Sequence, residues 1–541
     1  MKQRRWLSGI LLVGCCGWGG AILPEGVASA NEAAAVQNPD IQLQVGIVQR
    51  FGDNPKEKLI LKAPPGNALA VRYEAGDGTL KTSNVPGLQL EITPSSLPEP
   101  KLDERLVLST HRSFEDAEAK ARQWKEQGIE VEIAQPDRWE VWAKRDVYAT
   151  PLLRRRLLQS LEAAGQTGVN LQSQVKQQVP QASWVINGYR YNRDRLEVVS
   201  NAGVIQVSEG ENARTTNYGG NLRLQPNAYG DYTLVNDVPL EVYLRGVVPH
   251  EIGGGAPYEA VKAQAILART YALRNLRRFA ADNYQLCADV NCQVYKGLSG
   301  TTENTDRAIA ETAGQVLVYQ NELVDALYSS TTGGVTATYR DIWAGVDRPY
   351  LTATIDSAQQ IWDLPNNSLA EEQNIRRFLN LKKGFNEDGG EYFRWKYNES
   401  LADMTAFLKQ YFRRKNRPIY FNKITELKVS ERSPSGRVQK LEVTTDGGTI
   451  VIPKDEILTG FYAPISTLFY LEPIKEADNK TLWGYSFIGG GFGHGVGLSQ
   501  TGAAKLAELG WTSDRILQFY FPGTELRNID GSIVFWQEPT S

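Results

Sequence analysis

The feature that most constrains this fold is the segment AVKAQAILARTYAL, from Ala260 to Leu273. Its five alanines place small side chains on several faces of a helix, which we predict to run from Pro257 to about Ala281. A helix that is apolar all round packs against neighbours on every side, so this one should be central and buried. Gln264 and Arg269 are then semi-buried polar groups that need partners. Arg269 either positions an anionic substrate group or pins its own loop.

The length and charge of the chain limit the classes of protein that it can belong to. Its 541 residues suggest about three to four domains. Apolar residues are 41% and charged residues 22% of the chain, values typical of globular proteins that bury a core. The formal net charge is -3, which gives no electrostatic reason to expect nucleic acid as a partner.

The first thirty residues have the pattern of an export signal. A basic start is followed by an apolar stretch from Leu7 to Leu23 and by the small residues Ala28-Ser29-Ala30. We predict a signal peptide over residues 1–30 and a mature protein in the periplasm or cell wall. Acylation of Cys15, which would make the chain a lipoprotein, is the alternative. No later segment reaches the ~18 uninterrupted apolar residues that a membrane span needs.

The rest of the chain is predicted to be α+β and multidomain. Alternating apolar and polar residues indicate a small β domain over residues 31–103. Residues 104–165 have a β-α-β-β-α pattern and resemble a SPOR domain, a peptidoglycan-binding module; an unspecific α+β domain is the alternative. The Gln-rich segment 166–183 is predicted to be a linker. Residues 184–541 are predicted to form one mixed α+β catalytic domain, with later helices near residues 368–379, 401–413, 501–509 and 514–519.

One acidic residue stands out on a loop. The segment VPLEVYLRGVVPHEI ends at Ile252 and is followed by three glycines, so Glu251 lies between a turn and a flexible run. Functional groups often occupy such loops when a rigid element holds them. The alternative is that Glu251 has no function beyond that of a surface or capping carboxylate.

Two cysteines follow the alanine-rich helix. Cys287 and Cys292 are five residues apart and are the two that remain once the predicted signal is removed. They are candidates for a disulfide, or for half of a zinc site. The histidines are His111, His250 and His494, and none is close in sequence to the pair. We therefore favour the disulfide and predict no cofactor.

The segment GGGFGHGVGLSQTGA, Gly489 to Ala503, has glycines on both sides of His494. This spacing indicates a close approach of the backbone to a ligand or to another strand. The segment lacks the third glycine of a dinucleotide-binding loop, and Ser499 is not followed by the glycine of a nucleophile elbow. A serine hydrolase that uses Ser499 or Ser330 with His494 is therefore a weak alternative.

Together these segments resemble the SpoIID/LytB family. The resemblance runs with gaps from about residue 183 to residue 531, and its further motifs are Ala326–Gly334, Phe393-Arg394-Trp395, Ser435-Gly436-Arg437-Val438 and Ile516–Thr524. Two departures are visible. Asn291 stands where zinc-binding members carry His, and Ser329 stands where a His is common.

The resemblance implies a site and an activity. SpoIID-like proteins are lytic transglycosylases that cleave between N-acetylmuramic acid and N-acetylglucosamine on peptide-free glycan strands, and the motif places the catalytic role on Glu251. LytB members are instead described as enhancers of a wall amidase. The residues predicted to bind substrate are Gln264, Arg269, Tyr295, Ser330, Thr331, His494, Ser499 and Gln500.

The implied chemistry needs one carboxyl group. Glu251 would protonate the glycosidic oxygen, and a hydroxyl of the sugar itself would then attack the anomeric carbon and return a proton to Glu251. This role requires a pKa raised by a poorly solvated pocket. His250 could assist Glu251, or lower its pKa when protonated. The alternatives are a non-catalytic amidase activator and a two-carboxylate glycosidase, which would need an acidic partner facing Glu251.

Overall fold

The computed structural model of the chain describes residues 41–54, 56–210, 213–415 and 417–538. The predicted signal peptide, the alternative acylation site at Cys15 and the polar segment up to Asp40 lie outside the described residues. Residues 40–541 form one compact unit. Within the described part of the chain, no helix is both long and apolar enough to cross a membrane.

The first half of the chain is mainly strand. Its elements are β1 (Gln42–Phe51), β2 (Lys58–Lys62), β3 (Leu69–Glu74), β4 (Leu80–Val85), β5 (Gly87–His111), α1 (Phe114–Glu126), β6 (Val131–Ala134), β7 (Trp139–Ala143), α2 (Pro151–Ala163), β8 (Asn170–Ile186), β9 (Tyr189–Asn192), β10 (Leu196–Ser200), β11 (Val204–Glu209), β12 (Thr216–Gly219), β13 (Asn221–Pro226) and β14 (Tyr232–Pro239).

The second half is more helical. Its elements are α3 (Leu240–Val248), a π-helical turn (Pro249–Gly253), α4 (Tyr258–Arg274), β15 (Leu286–Cys287), α5 (Glu303–Glu311), β16 (Gln315–Tyr319), β17 (Glu322–Leu323), β18 (Tyr328–Ser329), α6 (Tyr339–Ile342), α7 (Glu372–Asn380), β19 (Trp395–Ser400), α8 (Leu401–Arg414), β20 (Ile424–Arg432), β21 (Val438–Thr445), β22 (Gly448–Pro453), α9 (Ile457–Gly460), β23 (Phe469–Lys475), β24 (Leu482–Gly489), β25 (Leu498–Ser499), α10 (Gln500–Glu508), α11 (Ser513–Tyr520) and β26 (Glu525–Asn528). The prediction of a mixed α+β chain is confirmed.

The predicted small β domain does not stand alone. One sheet has the strand order β15-β1-β14-β13-β10-β3-β4, and a second has the order β12-β11-β2-β5-β7-β6. Strands β1, β2 and β3 therefore pair with β14, β11 and β10, which lie more than a hundred residues later. A few short strands with one apolar face leave open edges and an uncovered core, and the later strands close both. Strand pairing therefore crosses the boundary predicted at residue 103.

The segment predicted to be a linker is instead a long strand. β8 pairs antiparallel with β5 from Val185 opposite Gln89 to Asn170 opposite Val107. Its polar side chains are largely exposed, and the hydrogen bonds are made by the backbone. Polar composition therefore did not exclude a strand here, because strand formation depends on pairing more than on side-chain type.

Residues 104–165 have the predicted β-α-β-β-α order. α1 begins after Ser113, whose side chain accepts a hydrogen bond from the main chain of Asp116, and it buries Phe114, Ala117, Ala121 and Trp124. α2 begins after Thr150, whose side chain caps the helix at Leu153. The identity of this module as a SPOR domain stays a prediction.

The alanine-rich helix α4 is buried on all sides, as predicted. It contacts α3, α5, α10, α11 and β16. Ala263 and Ile266 pack into one apolar cluster with Leu498 of β25. Ala265 lies in a second cluster with Leu244 of α3. The small side chains of α4 allow these neighbours to approach closely, and this brings the ends of α3 and β25 to the same region.

Candidate active site

Glu251 lies in the π-helical turn that continues α3. The turn ends at Gly253, whose φ of +86° is accessible to glycine and strained for other residues. The Glu251 side chain is half-buried, and its Oε1 accepts a hydrogen bond of 2.7 Å from the main-chain N–H of Val294. The carboxyl group is thus fixed in direction, while the residue as a whole stays partly exposed.

Two side chains donate hydrogen bonds to the same carboxyl group. They are the phenol of Tyr328 and the amide of Gln500. The Tyr328 hydroxyl also accepts from Nε2 of Gln293 at 3.0 Å, so its own proton is directed to Glu251. Nε2 of Gln500 lies 3.5 Å from Oε1 of Gln264 on α4. The site therefore combines residues from four separate parts of the chain.

The environment of Glu251 raises its pKa to about 7. Burial is the main cause, because a poorly solvated site disfavours the charged carboxylate. The hydrogen bonds from Val294, Gln500 and Tyr328 oppose this effect and are weaker than it. A large fraction of the Glu251 side chains is therefore protonated at neutral pH.

A short parallel strand pair assembles the two donors. Tyr328 of β18 is paired with Leu498 of β25, and Ser329 is paired with Ser499. Gln500, the next residue along, begins α10. The main-chain N–H of Thr501 donates to the carbonyl of Ser330 at 3.1 Å and fixes α10 against this strand.

A buried carboxylate, Glu387, holds the loop that follows β18. It accepts hydrogen bonds from the main-chain N–H groups of Thr332 (2.5 Å) and Gly334 (2.9 Å) and from the hydroxyl of Ser499 (2.5 Å). Asp356 lies beside it with its pKa raised well above the usual range by burial and by the Glu387 charge. Oδ1 of Asp356 accepts hydrogen bonds of 2.8 Å from Nδ2 of Asn386 and from the hydroxyl of Tyr520, which fix it beside Glu387.

Two arginines hold the carbonyls of the same loop. Nη2 of Arg437 donates to the carbonyls of Thr332 (2.7 Å) and Val335 (2.9 Å), and Nη1 of Arg394 donates to Gly333 (2.9 Å). Burial lowers the pKa of both guanidinium groups to about 10. Both arginines come from motifs noted in the sequence, so those motifs serve to fix one wall of the site.

Comparison with known proteins places these residues in a family context. Residues 228–319 match the family model described as Stage II sporulation protein. The amidase enhancer of Bacillus subtilis is 26% identical over 94% of this chain and 73% of its own length. Stage II sporulation protein D of the same organism is 27% identical over 55% of this chain and 76% of its own length. The chain is similar to proteins of the SpoIID/LytB family. Residues 337–497 match a second model, a domain of unknown function (DUF8618).

The SpoIID model covers only part of the site. Glu251, Gln264 and Val294 lie inside residues 228–319, whereas Tyr328 and Gln500 lie outside them. Glu387 falls within the second matched region. The hydrogen-bonded site thus depends on segments that the SpoIID model does not include.

Three residues predicted to bind substrate are structural. Arg269 is fully buried and forms a two-point ion pair with Glu241 at 2.7 and 2.8 Å, so it pins α4 to α3. Tyr295 is 1% exposed, and its hydroxyl donates to Asn236 at 2.8 Å. Ser499 is fully buried as the N-cap of α10. In each of the three, a protein partner engages the polar group, and a role in substrate binding stays a prediction.

His494 is also engaged by the main chain. Its Nδ1 accepts from the N–H of Val496 at 3.0 Å, and the ring donates to the carbonyl of Tyr328. Burial lowers its pKa to about 4, so the ring is neutral at physiological pH. Ser499 donates to Glu387 instead, which removes the histidine–serine pair that a serine hydrolase would need. His494 thus supports Tyr328 rather than activating a nucleophile.

The other predicted residues differ in their position. Gln264 and Gln500 are part of the site, as described above. Ser330 is half-exposed at its edge, and the Thr331 hydroxyl accepts from the N–H of Phe492 at 3.1 Å. His250 is exposed, and its Nε2 lies 2.7 Å from the carbonyl oxygen of Ser299, so the main chain engages this ring nitrogen.

The cysteine pair forms a disulfide. Cys287 and Cys292 are joined, with 5.6 Å between their Cα atoms. Thiols in a disulfide cannot supply the thiolates that a structural zinc needs. No three His, Cys, Asp or Glu side chains are grouped as a metal site in the described ranges. The donors present here therefore form a disulfide and do not fit the half zinc site that was the alternative.

Sequence reasoning missed two members of the site, Tyr328 and Gln293. Tyr328 lies inside the motif Ala326–Gly334, and Gln293 follows Cys292 directly. Both motifs were noted, but a phenol and an amide carry no signal of catalysis by themselves. Only the pairing of β18 with β25 shows that Tyr328 contacts Glu251.

Proposed function

We propose that this protein acts on the bacterial cell wall as a peptidoglycan lytic transglycosylase, with Glu251 as general acid and then general base. The observation that carries the proposal is the half-buried Glu251 carboxyl, whose pKa is raised to about 7. A general acid works best when its pKa lies near the working pH, and few exposed glutamates meet that condition. The predicted export of the chain agrees with a wall substrate.

The proposed reaction balances without water. Glu251 gives its proton to the glycosidic oxygen as the bond from that oxygen to the anomeric carbon of the muramyl sugar breaks. The 6-hydroxyl of the same sugar then bonds to the anomeric carbon, and its proton passes to Glu251. The products are a strand with a 1,6-anhydromuramyl end and a strand with a free hydroxyl, and Glu251 is again protonated.

The neighbours of Glu251 favour this reaction over hydrolysis with two carboxylates. Among the described residues, its hydrogen-bond donors are a main-chain N–H, an amide and a phenol, and no carboxylate charge contributes to its pKa. A retaining glycosidase needs a second carboxyl group about 5–5.5 Å away. At that distance the second charge would be a major influence on the pKa of Glu251.

Activation of a wall amidase is the second candidate. It is favoured by the extent of similarity to the Bacillus subtilis amidase enhancer, which covers 94% of this chain against 55% for the sporulation protein. Such a protein would bind the wall or the amidase and would not need the Glu251 carboxyl.

Product analysis separates the two candidates. The purified protein, Glu251→Gln and the control Glu303→Gln, which changes an exposed carboxylate on α5, are incubated with peptide-free glycan strands. We expect anhydromuramyl products from the native protein and from the control, and none from Glu251→Gln. If none of the three releases products, but all three stimulate an added amidase equally, the activator function replaces the transglycosylase.

A further inference from the structure

The glycine-rich loop that contains Gly491 and Phe492 links the Glu251 site to a second surface. The N–H of Phe492 donates to the carbonyl and to the hydroxyl of Thr331, both at 3.1 Å. Thr331 follows Tyr328 by three residues, so the two Cα atoms are at most about 11 Å apart. Phe492 is therefore connected to the Glu251 site through Thr331 and Tyr328, over a distance that a short stretch of glycan strand can span.

Aromatic side chains surround this loop on one side. The rings of Tyr392 and Phe492 are 4.8 Å apart. Nε1 of Trp395 donates to the carbonyl of Gly491 at 2.8 Å. Tyr397, two residues further along β19, stacks on Trp395 at 5.5 Å and is 39% exposed. The aromatic row thus leads from the loop to an exposed ring.

A second exposed ring lies on the other side of the loop. The N–H of Gly493 donates to the carbonyl of Ile465 at 3.2 Å. Tyr462, three residues before Ile465, is 50% exposed and stacks on Phe407 at 5.5 Å with an interplanar angle of 19°. This ring, like that of Tyr397, is supported from behind by another aromatic residue.

A main-chain contact connects the two segments that carry the exposed rings. The main-chain N–H of Tyr462 lies 3.4 Å from Oε1 of Glu399. Glu399 follows Tyr397 by two residues on β19, so their side chains share one face of the strand, with Cα atoms about 7 Å apart. Tyr397 and Tyr462 are therefore both neighbours of the buried Glu399, Tyr397 along the strand and Tyr462 through its main chain. We name these two tyrosines, with their supports Trp395 and Phe407, the aromatic shelf.

The chemistry of the shelf fits sugar rings. Each tyrosine presents a flat, partly exposed apolar ring, which matches the C–H face of a pyranose. Because each ring is already held by a stacked partner, little conformational entropy is lost when a ligand binds. Exposed apolar groups placed next to a cleft are typical of binding surfaces.

We propose that the aromatic shelf binds a peptide-free glycan strand on one side of the cleavage point, as distal sugar subsites of the Glu251 site. This inference rests on the function proposed above, because the strand that enters the Glu251 site is the ligand that would continue over the shelf. Its role is to hold long strands, and it takes no part in bond cleavage.

Binding is measured separately from cleavage, in the Glu251→Gln protein with fluorescently labelled glycan strands. Adding Tyr397→Ala and Tyr462→Ala together should weaken the binding of long strands about tenfold, from two lost aromatic contacts. A disaccharide unit that fills only the Glu251 site should bind unchanged. Tyr189→Ala, which removes a ring that is 71% exposed on β9, is the matched control and should have no effect. Tyr397→Phe with Tyr462→Phe should retain most of the binding, which separates ring stacking from misfolding.

The outcomes distinguish the shelf from the proposed function. If long strands bind the alanine variant as well as its parent, or do not bind the parent protein at all, the shelf proposal is wrong. Equal weakening by Tyr189→Ala would also overturn it. If the shelf variants lose binding while the native protein cleaves no strand, the shelf stands and the proposed transglycosylase activity fails.

Discussion

The hydroxyl of Tyr328 should set the pH at which Glu251 works, and Tyr328→Phe tests this. The substitution removes a donor to the Glu251 carboxyl and keeps the ring. A hydrogen bond to a charged group is worth about 1.5–3 kcal/mol, and one pKa unit corresponds to about 1.4 kcal/mol. The lost bond stabilised the carboxylate, so the pKa of Glu251 should rise from about 7 by roughly one unit or more.

The assay is the pH dependence of kcat/KM for glycan cleavage, which reports groups in the free enzyme. If Glu251 is the general acid, kcat/KM falls at high pH as Glu251 loses its proton. The pH at which this fall occurs should be about one unit higher in Tyr328→Phe than in the native protein. Tyr295→Phe is the control, because it removes a buried tyrosine hydroxyl that donates to Asn236 instead. A profile that stays fixed or moves downward in Tyr328→Phe, or moves equally in the control, would refute the reasoning.

Three further predictions concern stability and metal dependence. The pKa of Glu251 is raised from 4.5 to about 7 in the folded state, so the folded protein holds the neutral carboxyl group more tightly than the unfolded chain does. Below the unfolded pKa the carboxyl group is neutral in both states and does not change the free energy of unfolding. As the pH rises to 7 and above, ionisation of the unfolded chain lowers the free energy of unfolding. In denaturation experiments, the free energy of unfolding of Glu251→Gln should therefore exceed that of the native protein by about 2 kcal/mol at pH 8, and this difference should vanish near pH 4. Glu387→Gln should cost roughly 3 kcal/mol in urea unfolding, because buried N–H groups lose their charged acceptor. Chelators should leave the melting temperature unchanged, whereas reduction of the Cys287–Cys292 disulfide should remove about 2 kcal/mol. Sensitivity to chelators would indicate a metal site after all.

The local pattern of the sequence predicted several elements well. The alanines of α4 predicted a helix buried on all sides, and the structure has one, although it ends at Arg274 rather than near Ala281. The predicted helix at residues 501–509 is α10, Gln500–Glu508. These features follow from neighbouring residues, which a single sequence contains in full.

Features that depend on distant partners could not be predicted in the same way. Arg269 forms an ion pair with Glu241, which precedes it by 28 residues. The Gln-rich segment is a strand because it pairs with β5. Tyr328 reaches Glu251 only because β18 pairs with β25, which lies about 170 residues later. Glu387 belongs to no motif that was noted, and its role depends on a loop more than fifty residues before it.

Cleavage of peptide-free glycan strands in water enriched in oxygen-18 tests the central claim most directly. If Glu251 directs an intramolecular attack by the sugar hydroxyl, mass spectrometry should find anhydromuramyl ends without the heavy isotope, and no products from Glu251→Gln. Incorporation of one oxygen-18 atom at each new reducing end would show that water is the nucleophile and would contradict the account.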